Sequence, residues 1–145
     1  KGTIYQHYRS KEDVLAALVL QCGHQLLALI QRALGYSGSL RSKINLVSAA
    51  FFMISDLDPI TSSLVFTVKS PEFLKKIAPE HAEEQRKIDD SIFLEVVATL
   101  RRETDFSEQE IMDLAFGWWA MNWGVQTVHG SGWEMDRLGF DTPME

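Results

Sequence analysis

Residues 10–34 read SKEDVLAALVLQCGHQLLALIQRAL, and this stretch predicts the fold class of the chain. Ser10 followed three residues later by Asp13 forms a capping box, in which the Ser10 hydroxyl accepts a hydrogen bond from the backbone N–H of Asp13. Beyond the box, apolar residues recur at the three- and four-residue spacing of one helix face. They are Leu15, Leu18, Cys22, Leu26, Leu29 and Ala33. We therefore predict one helix from Lys11 to Leu34, about 36 Å long at 1.5 Å per residue.

Capping and turn signals divide the rest of the chain into five further helices. Asp58-Pro59 and Ser70-Pro71 each place a capping side chain before a proline, which is favoured at the first position of a helix. Ser107-Glu108-Gln109-Glu110 is a second capping box. The predicted helices cover residues 40–57, 59–69, 71–78, 79–103 and 108–129. Because no segment alternates with the period of two that strands require, we predict an all-α helical bundle.

Two of these helices carry distinct patterns of burial. Residues 44–54 are apolar on almost every face, which predicts that the second helix is central and buried. The helix over residues 79–103 has a charged face, expected in solvent, and an apolar face. The residues of the apolar face are Ile88, Ile92, Val96 and Leu100.

The composition fits one globular domain. The chain has 145 residues, 46% of them hydrophobic and 23% charged, and both shares are ordinary for a folded domain. A single cysteine, Cys22, excludes an internal disulfide and is typical of the reducing cytoplasm. The formal charge of −6 and the isoelectric point near 5.2 contrast with DNA-binding domains, whose isoelectric points usually exceed about 9. Taken alone, this balance argues against nucleic-acid binding.

The sequence lacks the motifs of catalysis and of metal binding. It contains no glycine-rich phosphate loop, no His-Glu-x-x-His, no Cys-x-x-Cys and no nucleophile elbow. The histidines do not have the spacing of helical metal ligands. We therefore predict no enzyme, no catalytic residue, no cofactor and no metal. Polar residues interrupt the most apolar stretch, residues 111–128, so we predict a buried helix there rather than a membrane span.

The helix over residues 108–129 carries a row of small residues. Gly117 and Gly124 lie seven positions apart and share a face, which allows a second helix to approach closely. Trp118, Trp119 and Trp123 surround them, and an apolar surface of this kind is typical of a partner interface. Packing within an ordinary core is the alternative. The predicted homodimer interface consists of Gly117, Ala120, Met121, Gly124 and Val128.

Bulky apolar side chains and a few hydroxyl and amide groups come from four different predicted helices. This mixture is the usual lining of a small-molecule site, although a solid core would use the same apolar residues. The predicted ligand-binding residues are Phe51, Phe52, Ser55, Ser62, Phe66, Phe93, Phe116, Trp119 and Asn122.

The start of the chain carries the most specific motif. Residues 2–8 are Gly-Thr-Ile-Tyr-Gln-His-Tyr, and residues 10–15 are Ser-Lys-Glu-Asp-Val-Leu. This segment resembles the end of the DNA-binding module of TetR-type transcriptional regulators, where Gly-Thr-Leu-Tyr-x-His-Phe precedes Lys-Glu-x-Leu. Ile4 and Tyr8 are conservative departures from that pattern. The resemblance covers about fifteen residues, and the predicted layout of a long connecting helix, a pocket and an apolar dimerisation helix agrees with it.

The resemblance implies a division of the chain and a function. Residues 1–9 would be the remnant of a helix-turn-helix recognition helix, and residues 10–145 a ligand-binding and dimerisation domain. The full-length regulator would be a cytoplasmic repressor that binds operator DNA as a homodimer and responds to a small lipophilic or aromatic effector. Its DNA contacts, mostly to phosphates, would include Thr3, Tyr5, His7 and Lys11. The alternative is a helical dimerisation or protein-interaction module without a ligand.

We expect this chain to bind operator DNA weakly or not at all, because the resemblance places most of the DNA-binding module before residue 1. Residues 1–11 contain three basic and no acidic residues, whereas residues 12–145 contain eleven basic and twenty acidic ones. An electrophoretic mobility shift at low salt measures this. A tight, sequence-selective complex would contradict the expectation.

Overall fold

The computed structural model describes residues 8–130, and every regular element in that range is an α-helix. The predicted all-α fold class is confirmed. The predicted remnant over residues 1–9 lies almost entirely outside the described residues. The helices are α1 (Lys11–Leu34), α2 (Leu40–Leu57), α3 (Pro59–Val68), α4 (Pro71–Leu74), α5 (Pro79–Glu103) and α6 (Glu108–Gly130).

Side-chain caps set where α1 and α6 begin, as the sequence predicts. The Ser10 hydroxyl accepts from the backbone N–H of Asp13 at 3.0 Å. At the start of α6 the two halves of the capping box are both present. Glu110 N–H donates to the Ser107 hydroxyl at 3.4 Å, and Ser107 N–H donates to Glu110 Oε2 at 2.8 Å. These bonds satisfy backbone donors that have no partner inside their own helix.

The central helix of the bundle is α1, which packs against α2, α3 and α5. The predicted apolar stripe of α1 is wrong in part, because Leu18 is exposed and three other members are only partly buried. Those three are Leu15, Leu29 and Ala33. The face that is buried includes Ala16, Val19, Cys22, Leu26 and Ile30. Since α1 carries apolar residues on several sides, their spacing does not tell which side the neighbouring helices cover.

The prediction that α2 is central and buried is wrong. Its buried residues are Val47, Ala50, Phe51 and Ile54, all on one side. Leu46, Phe52, Met53 and Leu57 are exposed. An apolar surface on every face does not specify how many neighbours a helix has, and α2 meets α1, α3 and α6 on a single side.

The two-faced pattern of α5 is confirmed. All four apolar residues of its predicted inner face are buried. On the outer face Arg86 pairs with Glu83 at 2.8 Å and with Asp90 at 2.7 Å. Ion pairs this exposed contribute little to stability, so the inner face is what fixes α5 against α1 and α6.

Length and apolar composition would allow α1 to cross a membrane, a property that the core helices of water-soluble proteins share. The two helices α2 and α3 would qualify only as one bent pair. In the described fold α1 packs its inner face against three other helices.

Asp13 connects the beginning of α1 to the beginning of α5. Its side chain is only 3% exposed, and its Oδ1 accepts a hydrogen bond from the backbone N–H of Ala78 at 2.8 Å. Ala78 is the N-cap residue of α5 and supplies no side-chain cap of its own. His81 Nδ1 lies 3.5 Å from the same oxygen. The hydrogen bond from Ala78, helped by His81, lowers the pKa of Asp13 although burial alone would raise it.

Replacing this carboxylate should destabilise the protein in a pH-dependent way. We expect Asp13→Ala to lower the free energy of unfolding by about 1.5–3 kcal/mol at neutral pH, the range for a hydrogen bond to a charged group. Because the folded-state pKa is lowered, the stabilisation is fully present above the unfolded-state pKa of about 3.9 and is lost as the pH falls through the folded-state value.

Urea denaturation of the wild type and the variant, from about pH 7 to about pH 3, measures this difference. Glu12→Ala, which removes an acid from the same helical turn, is the matched control. A difference between wild type and Asp13→Ala that stays constant over the whole range would contradict the assignment.

Candidate ligand-binding site

Five helices meet around a small central cavity. Its volume is about 30 Å³, room for about one water molecule. Ligand pockets usually reach about 300–1,000 Å³, so in this conformation the cavity is too small for an ordinary ligand. The lining is mainly apolar. Its polar members are Cys22, Ser62, Lys69, Gln85, Asp89 and Gln126.

Phe51 forms the aromatic wall of the central cavity. Its ring centroid lies 5.8 Å from Trp118, 6.1 Å from Trp119 and 5.9 Å from Trp123, in edge-to-face geometry. Pairs of this kind contribute about 0.5–1.5 kcal/mol beyond the burial of their area. Trp118 Nε1 also donates to the Ser48 hydroxyl at 3.0 Å. These contacts hold α2 against α6 and fix the position of the wall.

Gln85 places an unsatisfied hydrogen-bond acceptor at the central cavity. Its side chain is 6% exposed, and its Oε1 is buried without a hydrogen-bond partner. The amide nitrogen Nε2 donates to Asp89 Oδ1 at 3.4 Å, a long bond. A buried polar atom without a partner costs about 1–3 kcal/mol. A molecule that donated a hydrogen bond to Oε1 would recover that cost.

Lys69 and Asp89 form an ion pair at the edge of the central cavity. Lys69 Nζ lies 2.7 Å from Asp89 Oδ1, and both side chains are about three-quarters buried, with 24% and 28% exposure. The same Nζ is 4.5 Å from the centroid of the Trp123 ring, within the range of a cation–π contact. The ammonium therefore has a carboxylate on one side and an aromatic ring on another.

Two larger recesses adjoin this ion pair. An aromatic recess of about 230 Å³ is lined by Phe66, Trp119, Trp123 and the pair itself. A surface groove of about 840 Å³ runs between the α3–α4 region and α5. Lys69 and Asp89 line the central cavity, the aromatic recess and the groove alike. The ion pair thus stands where the three spaces meet.

The structure brings together some of the predicted ligand-binding residues. Phe51 and Ser62 line the central cavity. Phe66 and Trp119 line the aromatic recess, and Phe93 packs edge-on against Trp119 at 6.1 Å.

Four other predicted ligand-binding residues do not line the central cavity or either recess. The Ser55 hydroxyl donates to the Phe51 carbonyl at 3.2 Å, and the buried Asn122 amide donates to the Trp118 carbonyl at 2.8 Å. Both side chains therefore hydrogen-bond to the backbone of their own helix. Phe52 is exposed on α2, and Phe116 is 66% exposed on α6. Phe116 lies on the outward side of α6 because it is out of register with the buried residues Ala115 and Trp118.

Three polar residues of the site, Gln85, Lys69 and Asp89, are not among the predicted ligand-binding residues. Gln85 does have a signal in the sequence, because it lies three residues before Ile88 and seven before Ile92, on the apolar stripe of α5. Lys69 and Asp89 have none, since twenty residues separate them and only the packing of α3 on α5 makes them neighbours.

The predicted dimer residues lie mainly on the outward side of α6. Gly117, Ala120, Met121 and Gly124 are exposed, and Val128 is partly buried. A Cβ atom added at Gly117 or Gly124 would have no other atom within 4 Å. Among residues 8–130, these glycines therefore do not pack inside the core. The three tryptophans expected around them instead pack inward on Phe51.

The predicted DNA contacts fall at the edge of the described range. Thr3, Tyr5 and His7 lie outside the described residues. Lys11 is exposed as the first residue of α1.

Within residues 8–130, no three His, Cys, Asp or Glu side chains are grouped as metal ligands. Burial raises the pKa of the Cys22 thiol, and the nearby Asp58 raises it further. Cys22 therefore stays protonated at neutral pH and is a poor nucleophile.

The unpaired acceptor predicts an unusual result for Gln85→Met. This variant keeps the side-chain volume and removes the buried Oε1, so we expect the free energy of unfolding to stay unchanged or rise by up to about 1 kcal/mol. Thr99→Val is the control, because the buried Thr99 hydroxyl already donates to the Glu95 carbonyl at 2.9 Å.

Urea denaturation compares the two variants with the wild type. We expect Thr99→Val to lose about 1 kcal/mol. A loss of similar size in Gln85→Met would mean that its amide contributes to stability, contrary to our interpretation.

Comparison with family models, with curated proteins and with solved structures finds no match to this chain.

Proposed function

We propose that this chain is the ligand-binding and dimerisation domain of a cytoplasmic, ligand-responsive transcriptional regulator of the TetR type, acting as a repressor. One observation carries the proposal. The helix that begins directly after the Gly-Thr-Ile-Tyr-Gln-His-Tyr segment is α1, and α1 is also the central helix that lines the cavity. The segment that resembles a recognition helix therefore ends three residues before the helix that lines the candidate ligand site.

The route from ligand to DNA follows α1. Val19, Cys22, Gly23 and Leu26 of α1 line the central cavity, and Val19 lies about 12 Å along the helix from Lys11. A ligand that widens the cavity on the α1 side displaces α1 from α3 or α5. The Asp13–Ala78 hydrogen bond makes the start of α5 move with the start of α1. A displacement at the cavity is then transmitted to the segment before Lys11.

The second copy of the chain would pack on the outward side of α6. Leu114, Phe116, Met121 and Val125 are exposed there, next to the open Gly117–Gly124 row. Exposed apolar side chains beside small residues favour close packing of a second helix. A twofold pair of chains would carry two recognition segments, which must lie about 34–36 Å apart to enter successive major grooves.

Ligand binding and DNA binding would then oppose each other through α1. If the ligand favours a dimer whose recognition segments are wrongly spaced, DNA favours the ligand-free form by the same free energy, typically about 1–3 kcal/mol. The effector that enters the cavity would be small and largely apolar or aromatic, because its walls are apolar and aromatic.

A second function, a helical dimerisation or protein-interaction module without a ligand, is favoured by the small size of the central cavity. The two functions differ in how the tryptophans respond to lipophilic compounds. Quenching or a shift of the tryptophan emission by a lipophilic compound supports the regulator, because Trp123 lines the cavity. An unchanged emission spectrum across such compounds supports the module.

The dimer is tested by filling the open row on α6. We expect the wild-type chain to sediment as a dimer and Gly117→Leu to weaken dimerisation by at least about tenfold. The new side chain would enter space that no residue of the described range 8–130 fills, so the fold of the single chain should be kept. Ala28→Leu, at an exposed position of α1, is the matched control.

Sedimentation velocity over a range of concentrations gives both dissociation constants, and circular dichroism checks the helix content. A wild-type chain that remains a monomer at high micromolar concentration would remove the role proposed for α6. Equal dimerisation of the wild type and Gly117→Leu would mean that the dimer interface lies elsewhere on the chain.

A further inference from the structure

We propose that the Lys69–Asp89 pair marks a binding site for an organic cation, an ammonium group carried by a small aromatic or apolar body. The ligand's ammonium would take the place of the Lys69 ammonium, and its body would occupy the adjoining aromatic recess. The inference rests on the proposed function in one respect, that the central cavity and its surroundings are the ligand site.

The Lys69 ammonium shows which contacts the position offers to a cation. It lies 2.7 Å from Asp89 Oδ1 and 4.5 Å from the Trp123 ring centroid. Both members of the ion pair are about three-quarters buried, and a cation–π contact strengthens when it is removed from water. A carboxylate and an indole face in one partly dry place form a site that is selective for positive charge.

The buried amide of Gln85 adds a third acceptor. Its Nε2 donates to Asp89, while its Oε1 has no partner and the residue lines the central cavity. An ammonium group carries up to three N–H donors and no acceptor. A ligand ammonium at the Lys69 position can therefore use the carboxylate as Lys69 does. The Gln85 oxygen, which the Lys69 ammonium does not reach, is left for a second N–H donor of the ligand.

Lys69 can leave the pair more easily than Asp89 can. Lys69 is the C-cap residue of α3, so its long side chain starts where the helix ends and can turn toward water. Asp89 has a short side chain in the interior of α5, where Gln85 also holds it. A ligand cation displaces Lys69, whose side chain can turn toward water, and keeps Asp89 paired. An anion would have to displace the fixed partner, which would leave a partly buried carboxylate without a counter-charge.

The space beside the pair suits an aromatic body. Phe66 and Trp119 line the aromatic recess together with Trp123, and its volume of about 230 Å³ is that of a small molecule rather than of water. Phe66 packs edge-on against Trp123 at 5.2 Å. Withdrawal of Lys69 removes a side chain that this recess, the central cavity and the groove have in common. The central cavity, which is small with Lys69 in place, is then connected to the recess and the groove through which the ligand would enter.

The other charged residues near the pair do not compete with Asp89 for the ligand's cation. Glu83 and Asp90 line the groove, and both are already paired with Arg86. Lys75 lines the groove as well and pairs with Glu72 on α4. Asp89 is therefore the groove carboxylate whose cation can be exchanged without breaking a second pair.

Three probes of matched shape test the charge preference. They are 3-phenylpropylammonium, 3-phenylpropan-1-ol and 3-phenylpropanoate, each titrated into the 145-residue chain by isothermal calorimetry at neutral pH. We expect the ammonium to bind at least about tenfold more tightly than the alcohol and the carboxylate. Equal binding of all three, tighter binding of the carboxylate, or no binding of the ammonium would overturn the inference.

The two members of the ion pair should respond in opposite directions. Asp89→Asn should weaken binding of the ammonium by about tenfold or more, because the charged acceptor is lost. Lys69→Met should strengthen it by about three- to tenfold, because the competing ammonium of the protein is gone. Lys75→Met removes a positive charge from the same groove and should leave the affinity within about twofold.

A structural role for the ion pair would weaken binding in both variants, so weaker binding by a folded Lys69→Met would also overturn the inference. If Lys69→Met does not fold, Lys69→Gln replaces it, and the loss of affinity in Asp89→Asn is read beside the probe series. The outcome is separable from the proposed function. If the chain dimerises and binds the alcohol or the carboxylate preferentially, the cation site is wrong and the proposed regulator stands. If the chain stays a monomer but prefers the ammonium, the proposed regulator is wrong and the cation site stands.

Discussion

The bundle depends on the burial of one face of α1. Val19 and Ile30 are almost fully buried, and this face packs against α2, α3 and α5. Burying a side chain of this size contributes about 1.5–3 kcal/mol, so the inner face of α1 supplies a large part of what holds the helices together. The same face lines the central cavity through Val19, Cys22 and Leu26. The same side chains therefore stabilise the fold and line the candidate site, so a substitution among them affects both.

The sequence predicts most where the determining contacts are local. Ser10 and Asp13 are three residues apart, as are Ser107 and Glu110, and the helix beginnings that they specify agree with the structure. The stripe of α5 was predicted because polar and apolar residues alternate there with the helical period. Prediction failed where a helix is apolar on several sides, because burial is then decided by distant partners. Leu18 and Phe52 are exposed, while their neighbours Val19 and Phe51 are buried.

The candidate site was only partly predictable for the same reason. Phe51, Ser62, Phe66 and Trp119 are of types common in pockets, and the structure places them around the central cavity or the aromatic recess. The groups that give the site its selectivity are polar and come together only in the fold. Gln85 keeps an unpaired oxygen in an apolar setting, an arrangement that folding alone does not favour. A residue that costs stability at a cavity is a reasonable place to look for function.

The hydrogen bond from Ala78 to Asp13 also bears on the order in which the helices form. The two residues are 65 positions apart, and α5 begins without a side-chain cap of its own. A contact this distant forms only after a long loop has closed, which is slow compared with the growth of a helix. The first turn of α5 should therefore be frayed until α1 has docked, and an isolated peptide of residues 79–103 should be less helical at its beginning than at its end. In this chain one helix completes the start of another, so the N-terminal half of the domain takes part in the folding of the C-terminal half.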